Sequence, residues 1–261
     1  AQNITFNTLN SITLGQGSGV IELDGTFAQS INKVGATATP IFRRLTLNNP
    51  SSEITLNTPI TGSVQLHLNK GIMVANSTNF MTLLDNVTVS GASNSSYVYG
   101  PIEKMGNDAF VFPLGDSGYY RPIAISAPAS SSAAFKASYS AICPDSAGYS
   151  TRSKGVGINQ VSITEYWLLE RTNGTNEVFV SLSWGANSGG VNNLSELRVA
   201  HHKGGTWTDE GNGGTTGNTL GGTIISSAAI SSFSPFTLAS STVNNPLPVM
   251  LKSFEVSEFN T

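Results

Sequence analysis

The chain of 261 residues has 13 Lys and Arg against 16 Asp and Glu, a net charge of −3, and only 11% of it is charged, against roughly 25% in an ordinary soluble domain. Ser, Thr and Asn make up about a third and Gly adds 27 residues, which favours strands, turns and hydrogen-bonded loops over long amphipathic helices. The 39% hydrophobic fraction, with 12 Phe, 7 Tyr and 3 Trp, suffices for a core and excludes disorder, while the charge balance argues against nucleic acid or an anionic membrane as partner.

The first hundred residues read as short strands punctuated by Gly, Asn and Pro. Val20-Ile21-Glu22-Leu23 ends at the turn dipeptide Asp24-Gly25, Leu45-Thr46-Leu47 at Asn48-Asn49-Pro50, and Ile54-Thr55-Leu56 at Asn57-Thr58-Pro59. Val64-Gln65-Leu66-His67-Leu68 and a strand over 83–89 complete the run. Each alternates apolar and polar residues, the mark of a strand with one buried face. Apolar centres recurring at loosely 10 to 20 residues predict a β-solenoid over 1–100, with a β-sandwich as the competing reading.

Beyond Gly100-Pro101 the texture changes. Strands are expected at Phe110-Val111-Phe112-Pro113-Leu114, over 119–125, 134–141, 165–170, 178–184, 197–201 and 233–238, with 204–222 read as connecting loops around Trp207. This spacing, without a helical stretch, predicts an antiparallel, Ig-like β-sandwich over 101–243. Asn244-Asn245-Pro246-Leu247-Pro248 reads as a stiff extended linker, and 249–259 as one long strand, so that 244–261 forms a Pro-containing linker and terminal strand. The fold class expected is therefore all-β.

Few residues point to chemistry. The single Cys143 cannot form an intrachain disulfide and reads as a small buried hydrophobe. No run of about 18 apolar residues is long enough to span a membrane. The opening Ala1-Gln2 before a strand-like segment suits the mature end left by signal-peptide cleavage. His67 alternates with Leu66 and Leu68 and faces outward, and adjacent His201 and His202 point to opposite sides of a strand, which is poor geometry for one metal. The acids of the first hundred residues, Glu22, Asp24, Glu53 and Asp85, are scattered, Arg43-Arg44 is the only basic pair there, and nucleophile motifs are lacking. Asp116-Ser117-Gly118 and Asp209-Glu210-Gly211-Asn212 read as Asx turns, not calcium loops. No catalytic residue, metal ligand or cofactor is expected. Trp167 and Trp184 read as core, which leaves Trp207, beside Asp209 and Glu210, as the one sugar-stacking candidate.

The second half resembles a family of large cell-surface proteins of the Bacteroidota. The resemblance rests on Ser96-Tyr97-Val98-Tyr99-Gly100-Pro101, Phe110-Val111-Phe112-Pro113-Leu114-Gly115-Asp116, Tyr119-Tyr120-Arg121-Pro122-Ile123, Glu165-Tyr166-Trp167, Leu197-Arg198-Val199-Ala200, Ser232-Phe233-Ser234-Pro235-Phe236-Thr237-Leu238 and Asn245-Pro246-Leu247-Pro248-Val249. It implies export through type IX secretion and display at or release from the cell surface, as a stalk, adhesin or matrix component. In that family the Pro-rich stretch leads into another β-sandwich and a C-terminal sorting domain, whereas this chain stops at Thr261, inside the next module's first strand. The resemblance also implies that Ser146, in Asp145-Ser146-Ala147, is an O-glycosylation acceptor; the alternative is a plain turn after Pro144.

These readings favour a non-enzymatic extracellular structural or adhesive protein whose partners are further copies of itself, neighbouring surface proteins or glycans. A lone terminal strand needs a partner for its backbone. The alternation changes phase near Ser253, with Leu247, Val249 and Leu251 on one face and Phe254 and Val256 on the other. Val249, Leu251, Phe254, Val256 and Phe259 are thus candidates for strand addition to a neighbouring copy, making a head-to-tail fibre. The competing class is a carbohydrate-binding module or polysaccharide-active solenoid built around Trp207, Asp209 and Glu210.

Overall fold

A computed structural model describes residues 3–6, 13–15, 17–35, 38–50, 53–233 and 235–247. It is all-β, 49% strand and 4% helical, and begins as a β-solenoid of about four turns. One parallel sheet stacks Ile4–Phe6, Gln29–Lys33, Ile54–Leu56, Met73–Val74 and Val98–Tyr99. The second stacks Thr13–Leu14 and Ile21–Leu23 on Ile41–Asn48, then Ile60–Lys70, then Met81–Leu83 and Thr88–Ser90. Residues stacked one coil apart are separated by 19 to 28 residues, as for Ile54 and Met73 and for Thr13 and Ile41, a longer and less regular period than the sequence suggests.

Register explains why the alternating runs stack. Ile21, Leu45, Leu66 and Val89 stand in one column, and Leu23, Leu47 and Leu68 in the next. Asparagines link the coils on the outside. Asn69 Nδ2 donates to Asn48 Oδ1 at 2.9 Å, Asn48 Nδ2 to Glu22 Oε1 at 2.8 Å, and Asn57 Nδ2 to Asn32 Oδ1 at 2.8 Å. The inward residues of the rung Ile41–Asn48 and its approach, Pro40, Phe42, Leu45 and Leu47, change phase halfway, and its pairing with Ile60–Lys70 shifts register there, with the extra residue on the Ile60–Lys70 side.

The solenoid does not end at a linker. Ile102–Met105 pairs in parallel with Met81–Leu83 on one side and antiparallel with Ala134–Ser140 on the other. That one strand converts the solenoid sheet into a sandwich sheet, which continues through Tyr166–Asn173, Pro235–Ser240, Leu197–Lys203 and Thr206–Asp209. Opposite it lies an antiparallel sheet of Phe110–Phe112, Ile123–Ile125, Val180–Gly185, Gly221–Ile225 and Gly214–Asn218. A single apolar cluster runs from Phe6 through both regions to Leu247. Lys104, only 2% exposed, staples the junction: its ammonium donates to the Leu84 and Met105 carbonyls and pairs with Asp108 Oδ2 at 3.0 Å.

Several expected elements differ in detail. The strand expected over 83–89 is two strands around a corner, where Asn86 takes φ 61° and donates its N–H to Asp108 Oδ2 at 2.8 Å. The strand expected over 119–125 breaks at Arg121-Pro122, because Pro122 has no N–H and the Arg121 carbonyl accepts from Trp167 Nε1 at 2.9 Å. The span 204–222, expected as loops, carries Thr206–Asp209, Gly214–Asn218 and the start of Gly221–Ile225. Gly there reflects close approach as well as turning: a Cβ on Gly222 would lie 2.0 Å from the Thr216 carbonyl oxygen and 2.6 Å from Trp184 Cζ2. The start of the expected linker is docked. Asn245, fully buried, accepts from the N–H groups of Asn192 and Asn193 at 2.7 Å, and its Nδ2 donates to Asn193 O and Ser240 Oγ. Leu247 follows it into the core.

Candidate functional site

The residues that carry the family resemblance converge, and they converge inside the sandwich. Glu165, 0% exposed, receives the Tyr139 hydroxyl at 2.7 Å and pairs with Arg121 Nε at 3.4 Å. Arg121 is locked in turn: its N–H donates to Leu114 O, its Nη1 to Tyr120 O, and its guanidinium lies against Gly185, where a Cβ would come within 2.5 Å of Nη2. Thr237 Oγ1 donates to the Glu165 carbonyl at 2.6 Å. Burial pushes the Glu165 pKa up, while Ser188, Tyr139 and Arg121 pull it down by smaller amounts. The same burial raises the Tyr139 hydroxyl. These residues thus meet in a buried polar cluster whose contacts reach elements of both sheets.

A second cluster lies on Leu197–Lys203 and the turn after Thr206–Asp209. Glu210 Oε1 lies 2.6 Å from Lys203 Nζ, 3.2 Å from His201 Nδ1 and 3.3 Å from Thr208 Oγ1. Burial opposes the Glu210 charge, but His201 and Lys203 outweigh it and bring the pKa down to about 2. His201 is buried and stacks on Phe236 at 4.2 Å with an interplanar angle of 13°; burial lowers its pKa. A carboxylate-oriented imidazole is half of a hydrolytic arrangement, but His201 Nε2 is buried and has no hydrogen-bond partner among the described residues. The strand alternation that separates His201 from His202 was readable in sequence. The His201–Glu210 pairing across the hairpin was not.

The sugar-stacking candidate Trp207 requires correction. It is 0% exposed, in a small core with Ile158, Val161, Ala200 and Ala239, and its ring meets His202 edge-on at 5.0 Å. The parallel bridge between Lys154 and Trp207 lays the 150s segment along this strand, a long-range contact that neighbouring Gly and Thr residues do not reveal. Asp209 pairs with Arg198 at 3.6 Å and accepts the Gly211 N–H at 2.7 Å. Trp207, Asp209 and Glu210 are therefore held by internal contacts and do not line an open groove.

Trp167 and Trp184 are buried, donating to Arg121 O and Asn218 O. His67 stands on the outer face of the solenoid, with Nδ1 2.9 Å from Ser90 Oγ. Asp116 accepts the Ala141 N–H, and its turn contains Ser117 at φ 53°. Ser146 lies exposed on the 3₁₀ turn Pro144–Ala147, closed by left-handed Gly148. Val249, Leu251, Phe254, Val256 and Phe259 lie outside the described residues. Among the described residues no group of three or more His, Cys, Asp or Glu side chains is placed to hold a metal ion, and no helix is long and apolar enough to cross a membrane.

The first coil is a terminal rung of both solenoid sheets, with Phe6 and Leu23 buried. Ile4–Phe6, Thr13–Leu14 and Ile21–Leu23 each pair on one side only among the described residues. Ile4, Leu14 and Ile21 are half-buried where their counterparts one coil on, Ile31, Phe42 and Leu45, are fully buried. Phe27 (67% exposed), Val34 and Val20 stand in or beside this coil. No protein-family model, curated protein or solved structure matches the chain.

Proposed function

We propose that this chain is a non-enzymatic extracellular structural or adhesive protein that assembles head to tail, its C-terminal segment adding as a strand to a neighbouring copy. The observation that carries this reading is the continuous sheet. A solenoid whose first coil pairs on one side only among the described residues passes through Ile102–Met105 into a sandwich in which Asn245 and Leu247, just before the C-terminal segment, are buried. Such a body transmits load along its length, and its buried Arg121–Glu165–Tyr139 and His201–Glu210–Lys203 clusters serve cohesion between strands. Secretion by the type IX route, surface display and O-glycosylation at Ser146 belong to this proposal through the resemblance alone; exposure of Ser146 is compatible with the last.

Light scattering and negative-stain electron microscopy of the full chain test it, beside a variant ending at Leu247 so that the buried anchor is retained. Oligomers or filaments from the full chain and a folded monomer from the truncation are expected. A full chain that stays monomeric at every concentration overturns the assembly reading.

A further inference from the structure

We infer that the acceptor for the C-terminal segment is the open first coil of a second copy, in a parallel register that places Leu251 over Leu14, Phe254 over Ile21 and Val256 over Leu23. This rests on the assembly reading above and names its contact surface. The first coil is a terminal rung: Thr13–Leu14 and Ile21–Leu23 pair on one side only among the described residues, and Leu14 and Ile21 are half-buried, although Leu23 is already buried.

The rung on its other side shows what a neighbouring strand must look like. Phe42 stands opposite Leu14, Leu45 opposite Ile21 and Leu47 opposite Leu23. The inward residues Pro40, Phe42, Leu45 and Leu47 run at steps of two, three and two. A strand that keeps a uniform step of two follows such a rung only with a register shift, as Ile60–Lys70 does between Gly62 and Gln65 on the far side of Ile41–Asn48. In the C-terminal segment Val249, Leu251, Phe254 and Val256 run at the same steps of two, three and two. The phase change near Ser253 thus falls where that of the rung Ile41–Asn48 falls, so the segment could repeat that rung without a bulge. Strand addition would supply main-chain hydrogen bonds to the open edge and cover its apolar column. The same register sets Glu255 beside Glu22, a like-charge neighbour, so association should strengthen as salt screens the pair.

The test uses the full chain with Cys143→Ser, carrying either Ile21→Cys or Phe254→Cys. Mixed under mild oxidation, the two single variants should give a covalent heterodimer well above the homodimer that either gives alone, because neighbouring rungs bring the two positions within disulfide range. A chain carrying both substitutions should give a ladder of covalent multimers. Filaments in the microscope without this cross-link would overturn the acceptor while leaving head-to-tail assembly standing. A cross-link closed within one chain, seen as an oxidised monomer by mass, would show the segment covering its own first coil and overturn the proposal. A full chain monomeric at all concentrations would remove both readings together.

Discussion

Arg121 and Glu165 show how a sparsely charged chain uses its charges. Both are almost wholly buried and belong to motifs far apart in sequence. Removing one partner of a buried pair costs far more than the pair contributes, because the other charge is left desolvated. Arg121→Met should therefore lower unfolding stability by about 3–5 kcal/mol, measured by chemical denaturation, and a loss below about 1 kcal/mol would show that the cluster is not a lock. His201 gives a pH dependence. Its folded-state pKa lies below its ordinary value of 6.5, so the unfolded chain binds the additional proton. Stability should be fully present above pH 6.5 and decline as pH falls below it toward the folded-state value. Thermal melts of the native protein and of His201→Gln should diverge in this window, with the variant showing the shallower dependence.

At the scale of the element, the Gly- and Thr-rich hairpin is the most instructive. Gly214–Asn218 and Gly221–Ile225 pair in register with Thr216 opposite Thr223 and Gly217 opposite Gly222, the two threonine hydroxyls 2.7 Å apart. Composition suggested loops because Gly weakens strands. Here it admits Trp184, which lies against Gly222 and donates from Nε1 to Asn218 O at 3.0 Å. Gly222→Ala should cost about 1–3 kcal/mol through overpacking against backbone. Its effect should also appear as a change in Trp184 near-ultraviolet circular dichroism, and an unchanged spectrum and midpoint would contradict the packing described.

Across the whole molecule, the shared strand Ile102–Met105 and the common core mean that neither region can expose its end without exposing the other's. Calorimetry should show one transition with equal calorimetric and van't Hoff enthalpies. Two resolved transitions would mean that the junction does not couple the regions. Lys104→Met, which removes the ammonium from the Leu84 and Met105 carbonyls and from Asp108, is the variant expected to split the transition.

The sequence by itself determined what is local. Period-two runs such as Leu45-Thr46-Leu47 and Leu66-His67-Leu68 specify strands with one buried face, and turns such as Asp24-Gly25 end them, so the all-β class and the stacked coils were legible from composition and alternation. The tertiary structure decided what depends on distant partners. Trp207 is buried because the segment around Lys154 runs along it, Glu165 is paired because Arg121 arrives from the strand break before Ile123–Ile125, and Asn245 is an anchor because two backbone N–H groups some fifty residues earlier converge on its oxygen. Alternation records which face of a strand is apolar. What that face meets is set by register and sheet order, which arise only when the whole chain is packed.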